Sequence, residues 1–216
     1  MKKTMLMLAA LITLAPVFSQ TALPVYRAAS GDWKLQDLRL YQNDPRAPLA
    51  KVNFRVPQEG PMLYEFNVRY EGGGEDGHGG FGLHLFVKND QIYHRASWGS
   101  GNSYLLWLNY DENPQDPQIP AGLSAQVYHS LNTFDMELVE SVDLNYLAAG
   151  VTVDDLADPV PFVIWMDGST GEIRVYDPTD SAGQNYLSYF IQKTDLPQKG
   201  DWISLRTNGV KLSFGL

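Results

Sequence analysis

The chain has 216 residues with 16 basic and 25 acidic side chains, no cysteine, and a formal net charge of −9 at pH 7. This acidic balance argues against nucleic acid and anionic membrane surfaces as partners, because both require a basic contact surface. The absence of cysteine excludes disulfides, thiolate zinc sites and a lipid-modified cysteine.

The N-terminus has the features of a cleavable secretory signal. Two lysines precede an apolar run from Met5 to Leu14, which Pro16 ends. This run is too short to cross a bilayer as a helix. We expect cleavage before Gln20, so that residues 1–19 are a signal peptide and residues 20–216 form one domain, with 14 basic and 25 acidic residues and a net charge of −11. The sequence therefore predicts an exported protein, periplasmic or extracellular, with no transmembrane segment.

Alternating apolar and polar residues dominate the remainder of the chain and predict β-strands. From Met62 to Tyr70, aromatic and branched side chains alternate with polar ones, as expected for a strand with one buried face. The same alternation predicts strands at Trp33–Tyr41, Ala50–Val56, Gly82–Val87, Ser103–Tyr110, Phe134–Val139, Phe162–Met166, Glu172–Tyr176, Tyr186–Ile191, Trp202–Arg206 and Val210–Phe214. Short helical turns are predicted at Ser124–Ser130, Leu144–Ala149 and Val153–Ala157.

Two turn motifs connect predicted strands. Residues 167–171 have the sequence Asp-Gly-Ser-Thr-Gly, and Asn208-Gly209 separates the last two strands. Asn-Gly favours positive φ angles and predicts a tight hairpin at that point. Many short strands with such connections predict an all-β protein, an antiparallel two-sheet sandwich with jelly-roll order.

The strand pattern resembles the concanavalin A-like lectin and glucanase superfamily. Gly31, Asp32 and Trp33 open the pattern, the Asp-Gly-Ser-Thr-Gly hairpin follows long alternating strands, and Gly200 to Leu205 has the sequence Gly-Asp-Trp-Ile-Ser-Leu before an Asn-Gly turn. The likeness extends from Gly31 to Gly215. It implies a protein that binds or hydrolyses glycans on its concave sheet.

The sequence contains only part of the carboxylate motif that glycan hydrolysis needs. Retaining glycosidases use two carboxylates about 5 Å apart, which family 16 glucanases supply as Glu-x-Asp-x-Glu on one strand face. Asp135-Met136-Glu137 approaches this motif, but Thr133 stands where the first glutamate is required. No nucleophile elbow, phosphate loop or dinucleotide fingerprint is present. A noncatalytic protein is favoured, and a noncanonical carboxylate pair drawn from Glu65, Asp135 or Glu137 stays open.

The segment from Tyr93 to Asp111 holds candidate ligand-binding residues. Aromatic rings stack on the apolar faces of sugars while amides bind hydroxyls, so Trp98, Asn102 and Tyr104 have suitable chemistry. Trp98 is the strongest candidate because a large aromatic residue among glycines and serines has no obvious packing role. The strand that follows is apolar on both faces, so Trp107 is expected to be core or interface.

Three further residues complete the predicted ligand-binding set: Glu65, Arg69 and His84. Glu65 and Arg69 share one predicted strand face with Asn67 and Glu71. An acid, amide, base and acid in a row are equally typical of a solvated face with internal ion pairs.

Residues 71–80 contain five glycines among acidic residues, and Glu75, Asp76 and His78 are candidate metal ligands. Oxygen ligands on a pliable loop suit calcium, although no known calcium-loop spacing is present and a plain connection between strands is the simpler interpretation. Zinc held by His78 with His84 and His94 is less favoured. The sequence requires no cofactor.

Three functions follow from these features. The favoured one is an exported noncatalytic module that binds a carbohydrate or cell-envelope ligand. The first alternative is a structural or assembly subunit of an extracytoplasmic sheath or surface structure, in homo- or hetero-assembly. The second is a glycoside hydrolase with a noncanonical carboxylate pair.

Overall fold

The structure is a computed structural model that describes residues 25–89, 97–152, 155–176 and 185–215. Within these ranges the chain forms two antiparallel sheets of seven strands each, so the predicted all-β sandwich is confirmed. The predicted signal peptide lies outside the described residues. No helix in the described ranges has the length and apolar character needed to span a membrane.

The strands are numbered in chain order, and each sheet mixes early and late strands. Sheet 1 has the spatial order β1 (Tyr26–Ser30), β4 (Ala50–Gln58), β13 (Gly200–Asn208), β6 (His78–Val87), β7 (Ser103–Asp111), β8 (Gly122–Ser130) and β9 (Met136–Asp143). Sheet 2 has the order β12 (Asn185–Phe190), β11 (Glu172–Tyr176), β10 (Val160–Asp167), β5 (Pro61–Gly73), β14 (Val210–Gly215), β3 (Arg39–Gln42) and β2 (Trp33–Gln36). Helical structure is limited, in the described ranges, to α1 (Asn145–Ala148) and 3₁₀ turns at Asp155–Ala157 and Lys193–Asp195.

The core lies between the two sheets and is built by the predicted alternation. On β5, Phe66 points inward and Glu65 outward. The Phe66 ring stacks on Phe162 at a centroid distance of 5.9 Å, and Phe81 of sheet 1 meets Phe162 edge-on at 5.1 Å. Each such side chain contributes about 1.5–3 kcal/mol when fully buried. These rings join the sheets at the centre of the sandwich.

Strand β7 is covered on both faces, as its sequence predicts. Tyr104 and Leu106 point into the core between the sheets, whereas Leu105 and Trp107 lie on the outer face of sheet 1 and are also buried. The Trp107 indole lies against Gly82 of the neighbouring strand, where a Cβ atom would come within 2.8 Å of the ring. The outer face of sheet 1 is therefore closed at this point.

Two local predictions are wrong. Residues 124–130 belong to strand β8 and not to a helical turn, because they pair with both neighbouring strands. The predicted strand Trp33–Tyr41 is divided into β2 and β3, with a turn in which Asp37 and Leu38 have φ angles of 49° and 61°. Neither turn residue is glycine, so the sequence carried no signal for the turn.

The predicted hairpin at Asn208-Gly209 is also wrong. Gly209 has the expected positive φ of 73°, but β13 lies in sheet 1 and β14 in sheet 2, so the turn passes between the sheets. The connection from β5 to β6 crosses in the same way. A Cβ atom at Gly209 would lie 2.7 Å from the carbonyl oxygen of His78, because these two crossings touch. The 167–171 hairpin does join neighbouring strands of one sheet.

Candidate functional site

The segment from Ser97 to Asn102, called here the Trp98 loop, crosses the outer face of sheet 1. The Trp98 side chain is 47% exposed. Its ring lies over the guanidinium of Arg206, with 5.3 Å between the guanidinium carbon and the ring centroid, which is a cation–π contact. An exposed aromatic ring is thus supported from beneath by the sheet.

Two buried cations hold the backbone of this loop through three successive carbonyl groups. Arg206 donates from Nη2 to the carbonyl of Ser97 at 2.7 Å and from Nη1 to the carbonyl of Trp98. Lys51 donates from Nζ to the carbonyl of Gly99 at 2.9 Å and to the Ser97 hydroxyl at 3.2 Å. Arg206 on β13 and Lys51 on β4 are paired residues in the sheet, so one register places both cations under the loop.

Burial has a large electrostatic effect on these cations. No carboxylate among the described residues pairs with either of them, so carbonyl dipoles replace their hydration. Burial lowers the pKa of Arg206 to about 9, and burial together with the Arg206 charge lowers the pKa of Lys51 to about 7. Because moving the loop carbonyls away would leave these buried cations without polar partners, the cations hold the loop in one position.

The structure brings His84 under the same loop, where its side chain is fully buried. Its Nε2 atom lies 3.0 Å from Nη1 of Arg206, and its Nδ1 atom lies 3.1 Å from the Ser103 hydroxyl. Nε2 also lies 3.1 Å from the carbonyl oxygen of Trp98, so this nitrogen lies between a donor, the guanidinium, and an acceptor, the carbonyl. Burial and the charges of Arg206 and Lys51 lower the pKa of His84, so the ring is neutral. His84 supports the loop from within and is not on its ligand-accessible surface.

The other side of the Trp98 loop is fixed to the connection between β8 and β9. The Gly99 amide donates to the carbonyl of Thr133 at 2.9 Å, and the Ser100 amide donates to the Ser130 hydroxyl at 3.1 Å. A Cβ atom at Gly99 would clash with the carbonyl oxygen of Asn132. The glycine is therefore required by this close approach.

Two other predicted residues of this segment lie apart from the Trp98 ring. Asn102 is exposed, and its Oδ1 atom lies 3.2 Å from Nε2 of His129 at the end of the sheet. Tyr104 is 1% exposed and points between the sheets, where its hydroxyl donates to Asp195 at 3.4 Å. Burial, followed by the Asp195 charge, raises the pKa of Tyr104.

Glu65 and Arg69 lie on the outer face of sheet 2, on the opposite side of the sandwich from Trp98. Arg69 donates from Nε to Glu71 at 2.7 Å, and Ser213 donates to the same carboxylate oxygen at 2.6 Å. Arg39 joins the group by donating to the Ser213 hydroxyl at 3.0 Å. The side chains of this face thus bind one another, which matches the interpretation as a solvated face.

Glu75, Asp76 and His78 come together at one end of the sandwich. With Arg46 and Asn208 they line a pocket of about 420 Å³ between three of the connections that cross from sheet to sheet, those from β3 to β4, from β5 to β6 and from β13 to β14. No group of three histidine or acidic residues in the described ranges is arranged to hold a metal ion. The polar groups that line the pocket are two carboxylates, an imidazole, an amide and a guanidinium, and the remaining lining residues are prolines, an alanine and glycines.

The three carboxylates considered for hydrolysis do not face one groove. Glu65 is on β5 in the middle of sheet 2, whereas Glu137 is on β9 at an edge of sheet 1. Asp135, just before β9, accepts a hydrogen bond from the side chain of Asn132 at 2.6 Å. Glu65 is therefore too far across the fold to act with either of the others.

The sequence did not indicate that Lys51, Arg206, Arg46 or Asn208 would lie at a candidate site, and it marked Asn208 only as a turn residue. Lys51 and Arg206 occupy polar positions of alternating strands, which is typical of solvent-facing residues. If the pairing of β4 with β13 had been known, the two cations would have been predicted to lie side by side. The sequence still contains no sign that a loop covers them.

Comparison with known proteins gives matches of structure but not of sequence. No family model matches the chain, and a search of curated proteins finds no match. The carbohydrate-binding module CBM66 from Bacillus subtilis has a TM-score of 0.58 at 9% identity, covering 89% of this chain and 93% of its own. The Ca²⁺- and Man2-bound exoplasmic/lumenal domain of VIP36 has a TM-score of 0.58 at 12% identity, covering 88% of this chain and 80% of its own.

A third similar structure is the metal-free carbohydrate recognition domain of Emp46p. It has a TM-score of 0.52 at 14% identity and covers 88% of this chain and 87% of its own. At these identities the likeness concerns the arrangement of strands. Together with the two seven-stranded sheets, it identifies the fold of this chain as a concanavalin A-like sandwich.

Proposed function

We propose that the protein is a noncatalytic carbohydrate-binding module that holds its glycan by stacking one sugar ring on Trp98. The observation that carries this proposal is an exposed indole on a loop whose backbone is bound by two buried cations. Sugars stack their apolar faces on aromatic rings, and the polar groups around them bind hydroxyls.

Pre-organisation is the physical advantage of this arrangement. A free loop would lose conformational entropy on binding, which weakens affinity. The Trp98 loop is already ordered by Arg206, Lys51 and the contacts of Gly99. The Arg206 charge beneath the ring also restricts its rotation, because the cation–π contact favours one orientation. Little ordering is then left to occur when a ligand arrives.

The similar structures support the class of ligand. Two of them are a carbohydrate-binding module and a carbohydrate recognition domain, and a third is a Ca²⁺- and Man2-bound form. We propose that this chain acts outside the cytoplasm, where its predicted signal peptide would deliver it, on a glycan or a glycan-bearing component of a cell envelope.

Glycan-array binding followed by calorimetry tests the proposal. We expect saturable binding to at least one glycan, and a loss of about tenfold or more in affinity for Trp98→Ala, equivalent to at least about 1.4 kcal/mol. Trp98→Phe should lose less, because it keeps an aromatic surface. Phe190→Ala is the matched control, since Phe190 is 60% exposed on sheet 2.

Two results would overturn the proposal. One is the absence of saturable binding both on the array and in pull-downs from envelope fractions. The other is a Trp98→Ala variant that binds as tightly as the unmodified protein.

An assembly subunit is the second candidate function. The observation in its favour is the exposed apolar surface of sheet 2, where Leu63 and Phe190 are 54% and 60% exposed. Size-exclusion chromatography with light scattering separates the two functions, because a binding module should elute as a monomer whereas an assembly subunit should form larger species that Leu63→Asp dissociates.

A further inference from the structure

A second exposed aromatic residue lies on the loop next to Trp98. Phe134 belongs to residues 131–135, called here the Phe134 loop, which connect β8 to β9. Its side chain is 68% exposed, and Leu131 of the same loop is also exposed, whereas Thr133 is buried. Single apolar side chains on a surface are ordinary, but a group of them marks a binding surface.

A hydrogen bond between the two loops brings Trp98 and Phe134 close together. The Gly99 amide, which donates to the carbonyl of Thr133 at 2.9 Å, belongs to the peptide bond that follows Trp98. The Thr133 carbonyl belongs to the peptide bond that precedes Phe134. Standard covalent geometry then places the Cα atoms of Trp98 and Phe134 no more than about 8 Å apart. Two linked sugar rings can span the positions of both aromatic rings.

The Phe134 loop is ordered by its own hydrogen bonds. The side-chain oxygen of Asn132 accepts from the backbone amides of Phe134 at 2.8 Å and Asp135 at 3.0 Å. The Leu131 amide donates to the carbonyl of Asp135 at 3.0 Å. Such bonds from a side chain to the backbone fix the conformation of a turn. Phe134, like Trp98, is therefore held in place before a ligand binds, which lowers the entropic cost of binding.

The Asp135 carboxylate supplies a polar group beside the Phe134 ring. Asp135 is exposed, and its Oδ2 atom accepts from the side chain of Asn132 at 2.6 Å. Its Oδ1 atom accepts no hydrogen bond from any residue that the structure describes. This oxygen can accept from a hydroxyl group. An aromatic ring and a carboxylate on consecutive residues suit a sugar, whose apolar face stacks on the ring while its hydroxyls bind the acid.

The size of the apolar surface favours a glycan over a protein as the occupant. The side chains of Trp98, Leu131 and Phe134 together expose on the order of 300 Å². A stable protein–protein interface takes about 800 Å² from each partner. The surface is thus too small for a second copy of this chain, whereas it matches a short oligosaccharide.

We infer that Phe134 and Asp135 form a second subsite of the glycan site, so that one sugar ring stacks on Trp98 and a linked ring stacks on Phe134. This inference rests on the proposed function. The two aromatic rings select ligands of at least two sugar residues, and the Asp135 carboxylate selects hydroxyl positions on the second residue.

Calorimetry with sugars of two lengths tests this inference. The probes are the mono- and disaccharide of the mannose, glucose or galactose series, whichever the glycan array selects. We expect the disaccharide to bind the unmodified protein about fivefold or more tighter than the monosaccharide. Phe134→Ala should lose most of this gain and Asp135→Asn part of it, both with monosaccharide affinity within about twofold of the unmodified protein. Trp98→Ala should weaken binding of both sugars.

Phe190→Ala is the matched control, because Phe190 is the same residue type with a similar exposure on sheet 2. It should keep the full gain from mono- to disaccharide. Urea denaturation of each variant verifies that stability is kept, since an exposed ring contributes little to the free energy of unfolding.

Two results would overturn the inference and leave the Trp98 site standing. One is a Phe134→Ala variant that keeps the full gain for the disaccharide. The other is a Phe134→Ala variant that keeps its sugar affinities but changes the oligomeric state in light scattering, because the ring would then serve a protein contact. Unmodified affinity in Trp98→Ala would instead overturn the proposed function itself.

Discussion

Arg206 both supports the ring of Trp98 and binds its backbone, since the guanidinium lies 5.3 Å from the ring centroid and donates to the Trp98 carbonyl. One buried side chain therefore fixes the position of the loop and the orientation of the exposed ring. Removal of Arg206 would therefore free both the Trp98 ring and the Trp98 carbonyl group.

The first prediction concerns this residue. Arg206→Ala leaves the carbonyls of Ser97 and Trp98 without their donors, and hydrogen bonds to a charged group contribute about 1.5–3 kcal/mol each. We expect the free energy of unfolding, measured by urea denaturation, to fall by about 3 kcal/mol, and glycan affinity to fall as well. Arg206→Lys keeps the charge but not the two-pronged donation, and should be intermediate. An unchanged unfolding midpoint for Arg206→Ala would contradict this role.

The second prediction is a pH dependence of stability caused by Lys51. Its folded-state pKa is lowered from 10.5 to about 7 by burial and by Arg206. Between pH 7 and 9 the Lys51 side chain keeps its proton in the unfolded chain and loses it in the folded chain, so the contribution of Lys51 to stability must rise with pH, by at most about 1.4 kcal/mol per unit. Below pH 7 both states are protonated, and the full cost of burying the charge is present.

Urea denaturation at pH 6, 7, 8 and 9 measures this dependence. Lys51→Met removes the titrating group while keeping an apolar stem of similar length, so its stability should rise less over the same range. Parallel curves for Lys51→Met and the unmodified protein would show that another group is responsible.

The third prediction uses the close approach at Gly99. Gly99→Ala should displace the Trp98 loop, because the added methyl group meets the carbonyl of Asn132. We expect a loss of about 1–3 kcal/mol in stability and weaker glycan binding with the sandwich intact by circular dichroism. Gly150→Ala is the control, since nothing lies within 4 Å of its Cβ position and only its positive φ opposes the change. Equal glycan affinity in both variants would argue against a fixed loop.

The fourth prediction separates the two sides of the sandwich. Glu65 lies on the outer face of sheet 2, away from Trp98, so Glu65→Ala should bind glycan within about twofold of the unmodified protein, a difference below about 0.5 kcal/mol. Calorimetry with the same sugar measures both variants. If Glu65→Ala were weakened as strongly as Trp98→Ala, the ligand site would belong on sheet 2.

The fifth prediction concerns calcium. The ion takes six to eight oxygen ligands, whereas the described pocket supplies two carboxylates beside an imidazole. We expect glycan affinity and the melting temperature to be the same after dialysis against EDTA and after addition of calcium chloride. A rise in melting temperature with calcium that Asp76→Asn abolishes would instead establish a metal site there.

The sequence predicted those features of the structure that depend on the local pattern of apolar and polar residues. Alternation on β5 correctly placed Phe66 in the core and Glu65 outside, because side chains of a strand alternate between its faces whatever the strand's partners are. Trp98 could be singled out as an exposed loop residue because an aromatic residue among glycines and serines is unusual, and its role in ligand binding stays a prediction. Both inferences need no knowledge of distant parts of the chain.

Features that depend on distant parts of the chain could not be predicted. Asn208-Gly209 specifies a sharp turn, but the partners of β13 and β14 decide that this turn passes between sheets. Arg206 has the pattern of a solvent-facing residue, yet a loop about 100 positions earlier in the chain covers it. The supporting residues of the site were missed for this reason.

The placement of the last two strands has a consequence for how the chain folds. β13 lies between β4 and β6, and β14 lies between β5 and β3, so each sheet has one of these strands in its interior. Until residues 200–215 have left the ribosome, both layers are divided and their central edges are open. Assembly must follow synthesis of these strands, and a chain truncated before residue 200 should aggregate through its exposed strand edges instead of forming a smaller sandwich.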